Sequence, residues 1–476
     1  MSNIVKVNEK GTKIIVGGYS YTLQHTLIKT KRWKCSNKTK YNCPGTLSSS
    51  WELTNPVLQI EHNHAGNNQI EIIENFKNEI KSRSRRTCDK PSQIFAEAVS
   101  QIPAEALLFL PKESVVKRTI RNQRTSNNPA LNCINDVMIE DDWALVNGQR
   151  FLLADNKSTI GERIILFATD DSLKILTEAK TWYCDGNFNL SPKYFLQLYV
   201  IRVQKNDSYI TAVYCFLECK TMSIYEEMFK LILTKCAEYE LFPDPTFLNV
   251  DFEKAVISAA QTIFGSNLTI RGCFYHMCQS SYRKIQDLGL TNMYKNNDEF
   301  SHFCGMLDGL AFLPLERVFE GMAYLKTIAS PEGEDLLNYF DATYVNGPLR
   351  KVGVGTKFKF KKISPLFPPN TWNVHNTTIN GDHRTNNICE SWNNRFTHLV
   401  GHSHPTIWTL IHKMRLEVAA DRAKLVIDSM GDLVKKKQNL TYTRLVNLCQ
   451  RIANNSITIE EFLDKIGHNI RTRPRS

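Results

Sequence analysis

Nowhere does this chain of 476 residues run apolar for the roughly 20 positions that a membrane-spanning helix needs, so no membrane partner is expected. The opening Met1-Ser2-Asn3-Ile4-Val5-Lys6 lacks the apolar core of a secretory signal, which points to a soluble protein in a reducing compartment. A disulfide framework is missing too. The 13 cysteines are odd in number and irregular in spacing, and they read as free thiols or metal ligands. There is no internal repeat and no long low-complexity segment. Negative charge is in short supply: 48 acidic residues face 59 basic ones, and the net charge of +11 favours a polyanionic partner. Between residues 29 and 40 there is no acid at all.

What is present describes a folded globular protein, with 42% hydrophobic and 10% aromatic residues. The length leaves room for about two to four domains. The most specific pattern stands near the start, where Cys35, Cys43, His62 and His64 follow the spacing Cys-x7-Cys-x18-His-x-His. Two thiolates and two imidazoles suit a closed tetrahedral Zn²⁺ site, and so short a segment needs a metal to fold. The bland alternative is unrelated thiols and surface imidazoles. Against it stand the His-x-His after the strand-like Val57-Leu58-Gln59-Ile60 and the Trp-x-Cys at Trp33 and Cys35. Lys29, Lys31, Arg32, Lys34, Lys38 and Lys40, interleaved with Trp33 and Tyr41, read as a surface for nucleic-acid phosphates.

With Tyr19, Tyr21 and Pro44-Gly45, these residues resemble the FLYWCH-type zinc finger over roughly residues 11–64. The resemblance implies a zinc-dependent, β-rich module that binds DNA or protein.

Beyond it, Ile70, Ile73, Phe76 and Ile80 predict a helix over 70–81, interrupted at Ser82-Arg83-Ser84-Arg85-Arg86. Pro91 opens a second helix and Pro111 a third, which carries Lys117, Arg118, Arg121 and Arg124. This segment is either an amphipathic linker or a helix-turn-helix-like DNA reader. From residue 150 strands take over, at 151–153, 163–168, 181–185, 194–203 and 209–217. Strands at 246–250 and 268–272 then alternate with helices. Three hairpin-linked strands followed by this alternation is the order of a ribonuclease H-like sheet. Residues 280–345 read as helical, 346–375 as Pro- and Lys-rich, and the chain is helical again from Asn386.

Two of those strands end in aspartate, Asp185 before Gly186-Asn187-Phe188 and Asp251 before Phe252-Glu253. Taken singly, a strand-end Asp is more often a turn or cap residue. A pair on neighbouring strands repels, and Mg²⁺ or Mn²⁺ relieves the repulsion while leaving positions open for phosphate. Glu390 is the candidate third acid, with Asn386 and Asn393 near one helical face, and Glu417 is its alternative.

Together, Asp185-Gly186-Asn187-Phe188, Val250-Asp251-Phe252-Glu253, Gly272-Cys273-Phe274-Tyr275-His276 and Asn387-Ile388-Cys389-Glu390 resemble the Mutator-like element (MULE) transposase domain over roughly residues 130–425. Asn187 departs from the family, which usually has Thr there. The resemblance implies a ribonuclease H-like α/β fold, with Asp185, Asp251 and Glu390 holding Mg²⁺ or Mn²⁺ for cutting and rejoining double-stranded DNA. It also implies Cys273 and His276 near that centre, a multimer on paired DNA ends and a nuclear location. Cys278, His375, His383, His402 and His404 are read as structural or loop residues. The expected organisation is a finger at 1–66 and a basic helical segment at 67–130. A transposase-like domain at 131–425, with a helical insertion at about 280–375, and a basic helical tail at 426–476 follow. A non-catalytic DNA-binding regulator that retains the fold is the competing expectation.

Overall fold

The computed structural model describes residues 5–7, 12–67, 69–87, 89–127, 131–157, 162–354, 357–382, 384–430 and 440–470. The chain divides into two compact units, Met1–Asn132 and Cys133–Ser476.

The first unit opens with a six-stranded antiparallel meander: β1 (Val5–Lys6), β2 (Lys13–Val16), β3 (Tyr19–Thr26), β4 (Thr30–Cys35), β5 (Thr46–Ser50) and β6 (Val57–Ile60). Gly17 and Gly18, at φ of 57° and 81°, close the two-residue hairpin between β2 and β3, a turn that needs positive φ at both positions. Along β4 the side chains alternate, with Trp33 and Cys35 buried and Arg32 and Lys34 exposed. Ile14, Val16, Tyr21, Trp33, Leu47 and Leu53 make a small core. Trp33 was expected on the basic face and is instead fully buried, its indole N–H donating to Ser49 Oγ at 2.9 Å. The period of two along a strand decides this, because a Trp between two exposed cations must face the other way.

Three longer helices, Gln69–Arg86, Pro91–Val99 and Glu113–Asn127, and the single turn Ala104–Leu107 complete the unit. They share a core of their own, built on Phe76, Ile80, Ile94, Ala98, Val116 and Ile120. The expected break at Ser82–Arg86 does not occur. Arginine is a good helix former, and the buried Ser84 satisfies its hydroxyl on the Lys81 carbonyl at 2.7 Å. Arg124, counted among the basic residues of the third helix, donates to the carbonyls of Thr87 (2.9 Å) and Asp89 (2.7 Å) and so clasps the first two helices.

In the second unit, β7 (Leu145–Val146) and β8 (Gln149–Arg150) form a short hairpin. The main sheet follows, with β9 (Leu152–Asp155), β10 (Ile164–Phe167), β11 (Thr181–Asn187), β12 (Gln197–Lys205), β13 (Ser208–Leu217), β14 (Phe247–Val250) and β15 (Thr269–Gly272). Its strand order is β15-β14-β11-β12-β13-β10-β9. Strands β11, β12 and β13 are antiparallel neighbours, whereas β14 pairs parallel with β11 and β15 parallel with β14. Helices Met222–Ala237 and Lys254–Phe264 make the two crossovers that parallel pairing requires. Their buried faces, including Ile224, Met228, Ile232, Val256 and Ala260, join one large core with the sheet.

The Pro- and Lys-rich stretch contains a hairpin of β16 (Leu349–Val354) and β17 (Lys357–Lys362). The basic tail departs furthest from expectation. Helices Leu440–Ala453 and Ile459–Ile470 bury Leu445, Cys449, Ile452, Phe462, Leu463 and Ile466 in the main core, because both are amphipathic and have apolar faces to cover. Lys435–Lys437, Arg471–Arg475 and His383 lie outside the described residues.

Candidate functional sites: a Cys2His2 centre and a carboxylate cluster

In the first unit, strand pairing brings the ends of β4 and β6 to one edge. Cys35 closes β4, Cys43 follows the short helix Lys38–Tyr41, and His62 and His64 follow β6. One ligand atom from each of these four residues lies within 4.8 Å of the other three. Cys43 Sγ is 3.2 Å from His62 Nδ1, and Cys35 Sγ is 3.4 Å from His64 Nε2. The nitrogens turned away from the sulfurs have partners of their own: His62 Nε2 meets Tyr21 Oη at 2.8 Å, and His64 Nδ1 meets the Ala65 carbonyl at 3.1 Å. Such outer contacts fix the ring orientation of a metal-bound histidine. Tyr19 adds a face, stacked on His62 with centroids 3.7 Å apart.

The electrostatics suit metal ligands. Burial pushes the Cys35 thiol up, while at Cys43 the Asn63 and Gly45 backbone N–H groups outweigh burial and favour the thiolate. His62 is held below the ordinary histidine value by burial and by His64, so it is neutral and has a lone pair to offer. Gly45 is needed for clearance, since a Cβ there would sit 2.5 Å from His62 Nδ1. The donor set fits Zn²⁺.

Of the predicted DNA-contacting residues, Arg32, Lys34, Lys38 and Lys40 are exposed. Lys31 is half-buried with its Nζ 5.1 Å from the ring centroid of Trp51. Lys40 Nζ likewise lies over Tyr41, at 4.9 Å. The exposed tryptophan beside these cations is Trp51, at 52%, rather than Trp33. A turn tryptophan beside a strand of alternating cations was the signal for it.

In the second unit the register of β11 on β14 builds the other site. Tyr183 pairs with Asn249, so the residues two positions further on, Asp185 and Asp251, emerge side by side on the same face. Asp185 lies within β11 rather than at its end, since pairing with β12 continues to Asn187. Cys273 follows β15, its N–H donating to the Val250 carbonyl at 3.0 Å, and helix Phe274–Asp287 carries His276. Helix Asn387–Val400 lies across β11 and presents Glu390.

His276 stands between the acids, its Nδ1 2.6 Å from Asp251 Oδ1 and its Nε2 3.5 Å from Glu390 Oε1. Burial, then the charge of Asp251, pushes the Asp185 carboxyl up to about 7. At His276 burial works downward, but the close approach of Asp251, the contact with Cys273 and the charge of Asp251 prevail and raise it to about 11. Glu390 is also raised, by burial against the opposing pull of His276. Asp185 accepts from Asn393 Nδ2 at 2.6 Å and from the Gly186 N–H at 2.8 Å. Asn386 fastens the helix to the sheet, its side chain donating to the Cys184 carbonyl at 2.9 Å and its N–H to Cys273 Sγ at 3.1 Å. Cys273 thereby serves the helix as well as His276.

Glu417, the alternative third acid, is fully buried and bound by Arg395 and by the Trp392 indole N–H at 2.9 Å, away from this cluster. Burial raises its carboxyl, but Arg395 more than offsets that and holds it below the ordinary value. It is a structural clamp. His375 is buried with Nδ1 2.7 Å from the Phe312 carbonyl, and His404 Nδ1 approaches the Ser191 carbonyl at 3.3 Å. Both serve structure.

Neither curated proteins nor solved structures give a match to this chain. Residues 4–64 match the family model described as the FLYWCH zinc finger domain, so its span begins at the first strand of the sheet and ends on the last predicted zinc ligand.

Proposed function

We propose that this protein is a transposase-like DNA-binding protein. In this reading the finger binds double-stranded DNA through Lys31, Arg32, Lys34, Lys38 and Lys40, and Asp185, Asp251 and Glu390 carry out metal-dependent strand cleavage and transfer. The observation that carries the reading is the cluster itself: Asp251 and Glu390, far apart in the chain, meet on one imidazole, and Asp185 lies close enough to feel the charge of all three. The strand order, three antiparallel strands with two parallel ones beside the first, supports a ribonuclease H-like sheet of the MULE type. A multimer acting on paired DNA ends in the nucleus belongs to the same proposal.

The three carboxylates are hard oxygen donors and fit Mg²⁺ or Mn²⁺ better than zinc. When bound, that ion would neutralise the acids and stabilise charge on the phosphate oxygens. The chain's own residues supply the preorganisation. Asn393 and the Gly186 N–H aim Asp185, and Asn386 holds the Glu390 helix on β11. Phe252 and Gly272 pack so closely that a Cβ at Gly272 would lie 2.7 Å from the Phe252 ring, which keeps β14 and β15 in register beside the acids.

A second reading has its own observation. His276 engages Asp251 and Glu390 together, so a cationic imidazole already offsets part of their charge without metal. This suits a non-catalytic DNA-binding regulator that retains the fold. The two readings part in a nicking assay on a duplex carrying a candidate terminal repeat. The transposase reading expects Mg²⁺- or Mn²⁺-dependent nicking, reduced at least about 100-fold in Asp251→Asn with DNA binding unchanged. Nicking equal in wild type and Asp251→Asn, or none with either ion, would refute it and leave the regulator.

A further inference from the structure

The second unit carries another group of ligating side chains that shares no residue with the acidic cluster. His302 lies on helix Asp298–Gly309, and Asp464 and His468 lie on helix Ile459–Ile470. One ligand atom from each falls within 4.8 Å of the other two. We propose that His302, Asp464 and His468 form a second site for zinc or a similar divalent transition metal, which fastens the C-terminal helix to helix Asp298–Gly309.

The site is built by the way the two helices cross. Gly305 and Gly467 let the backbones touch: a Cβ on Gly305 would lie 2.5 Å from the Gly467 carbonyl oxygen, and one on Gly467 would lie 2.9 Å from the His302 ring. This contact presses the imidazole of one helix against the face of the other. Asp464 and His468 stand one helical turn apart on that face, the i and i+4 spacing at which two side chains reach a common point. His302 Nε2 is 3.1 Å from Asp464 Oδ1, and the rings of His302 and His468 stack with centroids 3.9 Å apart.

His302 is partly buried: its Nε2 faces Asp464, while its Nδ1 is set against Gly467 and has no hydrogen-bond partner among the described residues. A neutral imidazole carries one ring-nitrogen lone pair, and here two imidazoles lie beside one carboxylate. A divalent ion answers the lone pairs and the negative charge at once. Two imidazoles and one carboxylate favour Zn²⁺, Co²⁺ or Ni²⁺ over Mg²⁺ or Ca²⁺. Three protein ligands leave a coordination position open to water or a fourth donor. Entry is unobstructed, because Asp464 and His468 are exposed.

Cobalt titration of the full-length chain, read by visible absorption, tests this and separates it from the finger. Cobalt at Cys35, Cys43, His62 and His64 has thiolate ligands and a sulfur charge-transfer band, whereas cobalt on His302, Asp464 and His468 has none. The wild type should take up a thiolate-free equivalent, and His468→Gln should weaken that equivalent at least about tenfold while leaving the thiolate band intact. The finger-silenced Cys35→Ser/Cys43→Ser protein should retain one zinc per chain, and His302→Ala in that background should lose it. His468 is exposed, so its replacement removes the stack on His302 but leaves the core alone, and unchanged circular dichroism would verify this. A wild type with only thiolate-bound cobalt would overturn the proposal. So would a thiolate-free equivalent indifferent to both histidine changes, or a retained zinc lost in Cys273→Ser instead, which would move it to Asp251, Cys273 and His276.

Discussion

Asp185 is a carboxyl that the fold makes reluctant to ionise. Burial and the neighbouring Asp251 lift it from its ordinary 3.8 to about 7. A carboxyl with a raised folded value binds its proton more tightly in the native state than in the unfolded chain. Its penalty is therefore absent below about pH 4, grows as pH rises, and is complete above about 7, each tenfold gain in proton affinity being worth about 1.4 kcal/mol. His276, charged in both states below its ordinary 6.5, adds no slope over most of that window. Asp185→Asn should then gain on the wild type, in metal-free buffer, as pH rises from about 4 to 7, with a melting temperature several degrees higher at pH 8. Mg²⁺ should stabilise the wild type and leave the variant nearly unmoved. A difference between the two proteins that does not vary with pH would show that Asp185 is ionised throughout. The zinc ligands present the opposite case at the same scale: at Cys43 the backbone N–H groups of Asn63 and Gly45 favour the charged sulfur in advance of the metal.

At the scale of elements, β4 does two jobs with its two faces. Trp33 and Cys35 belong to the core and the metal site, while Arg32 and Lys34 face water, with Lys31 at the strand's end against Trp51. Replacing Lys31, Arg32 and Lys34 by alanine should leave folding intact, because none is a core residue. It should flatten the dependence of log affinity for duplex DNA on log salt by roughly 0.9 for each phosphate no longer neutralised. A slope equal to the wild type's would move the DNA surface off this strand. How much of this is legible varies with distance along the chain. The ligand spacing and the cationic run can be read directly, because both are local. That Trp33 turns inward follows from alternation, a local rule which the interleaving of aromatic and basic residues obscures. The helix through Ser82–Arg86 escapes for a different reason: charge looks like a break to a periodicity argument, yet it has no bearing on backbone hydrogen bonding.

At the scale of the molecule, the C-terminal helices decide what the second unit is. The sequence reads as ending in a basic appendage, but Phe462, Leu463 and Ile466 are fully buried against helix Asp298–Gly309 and its neighbours. Burying each such side chain is worth about 1.5–3 kcal/mol, so losing several is comparable to the whole stability of an ordinary domain. A chain ended after residue 430 should be insoluble or should bind a hydrophobic dye strongly. A soluble protein with native circular dichroism after removal of residues 431–476 would show that these helices are dispensable to the core.

The sequence by itself determined what depends on near neighbours: the four zinc ligands, the cationic strand, the alternation of strands and helices, and the motifs around Asp185, Asp251 and Glu390. Only the tertiary structure decided which of those residues meet. The parallel register of β11 on β14 sets Asp185 beside Asp251, and Asn386 sets the Glu390 helix across them. The same is true of Glu417, a plausible acid in sequence, which Arg395 and Trp392 hold in the core. His302, Asp464 and His468 lie farther still from any local signal, since two helices distant in the chain form that group only by crossing at a pair of glycines. Spacing along a chain fixes contacts within a turn or a hairpin, whereas contacts between elements follow from how apolar faces are covered, and that is a property of the whole core.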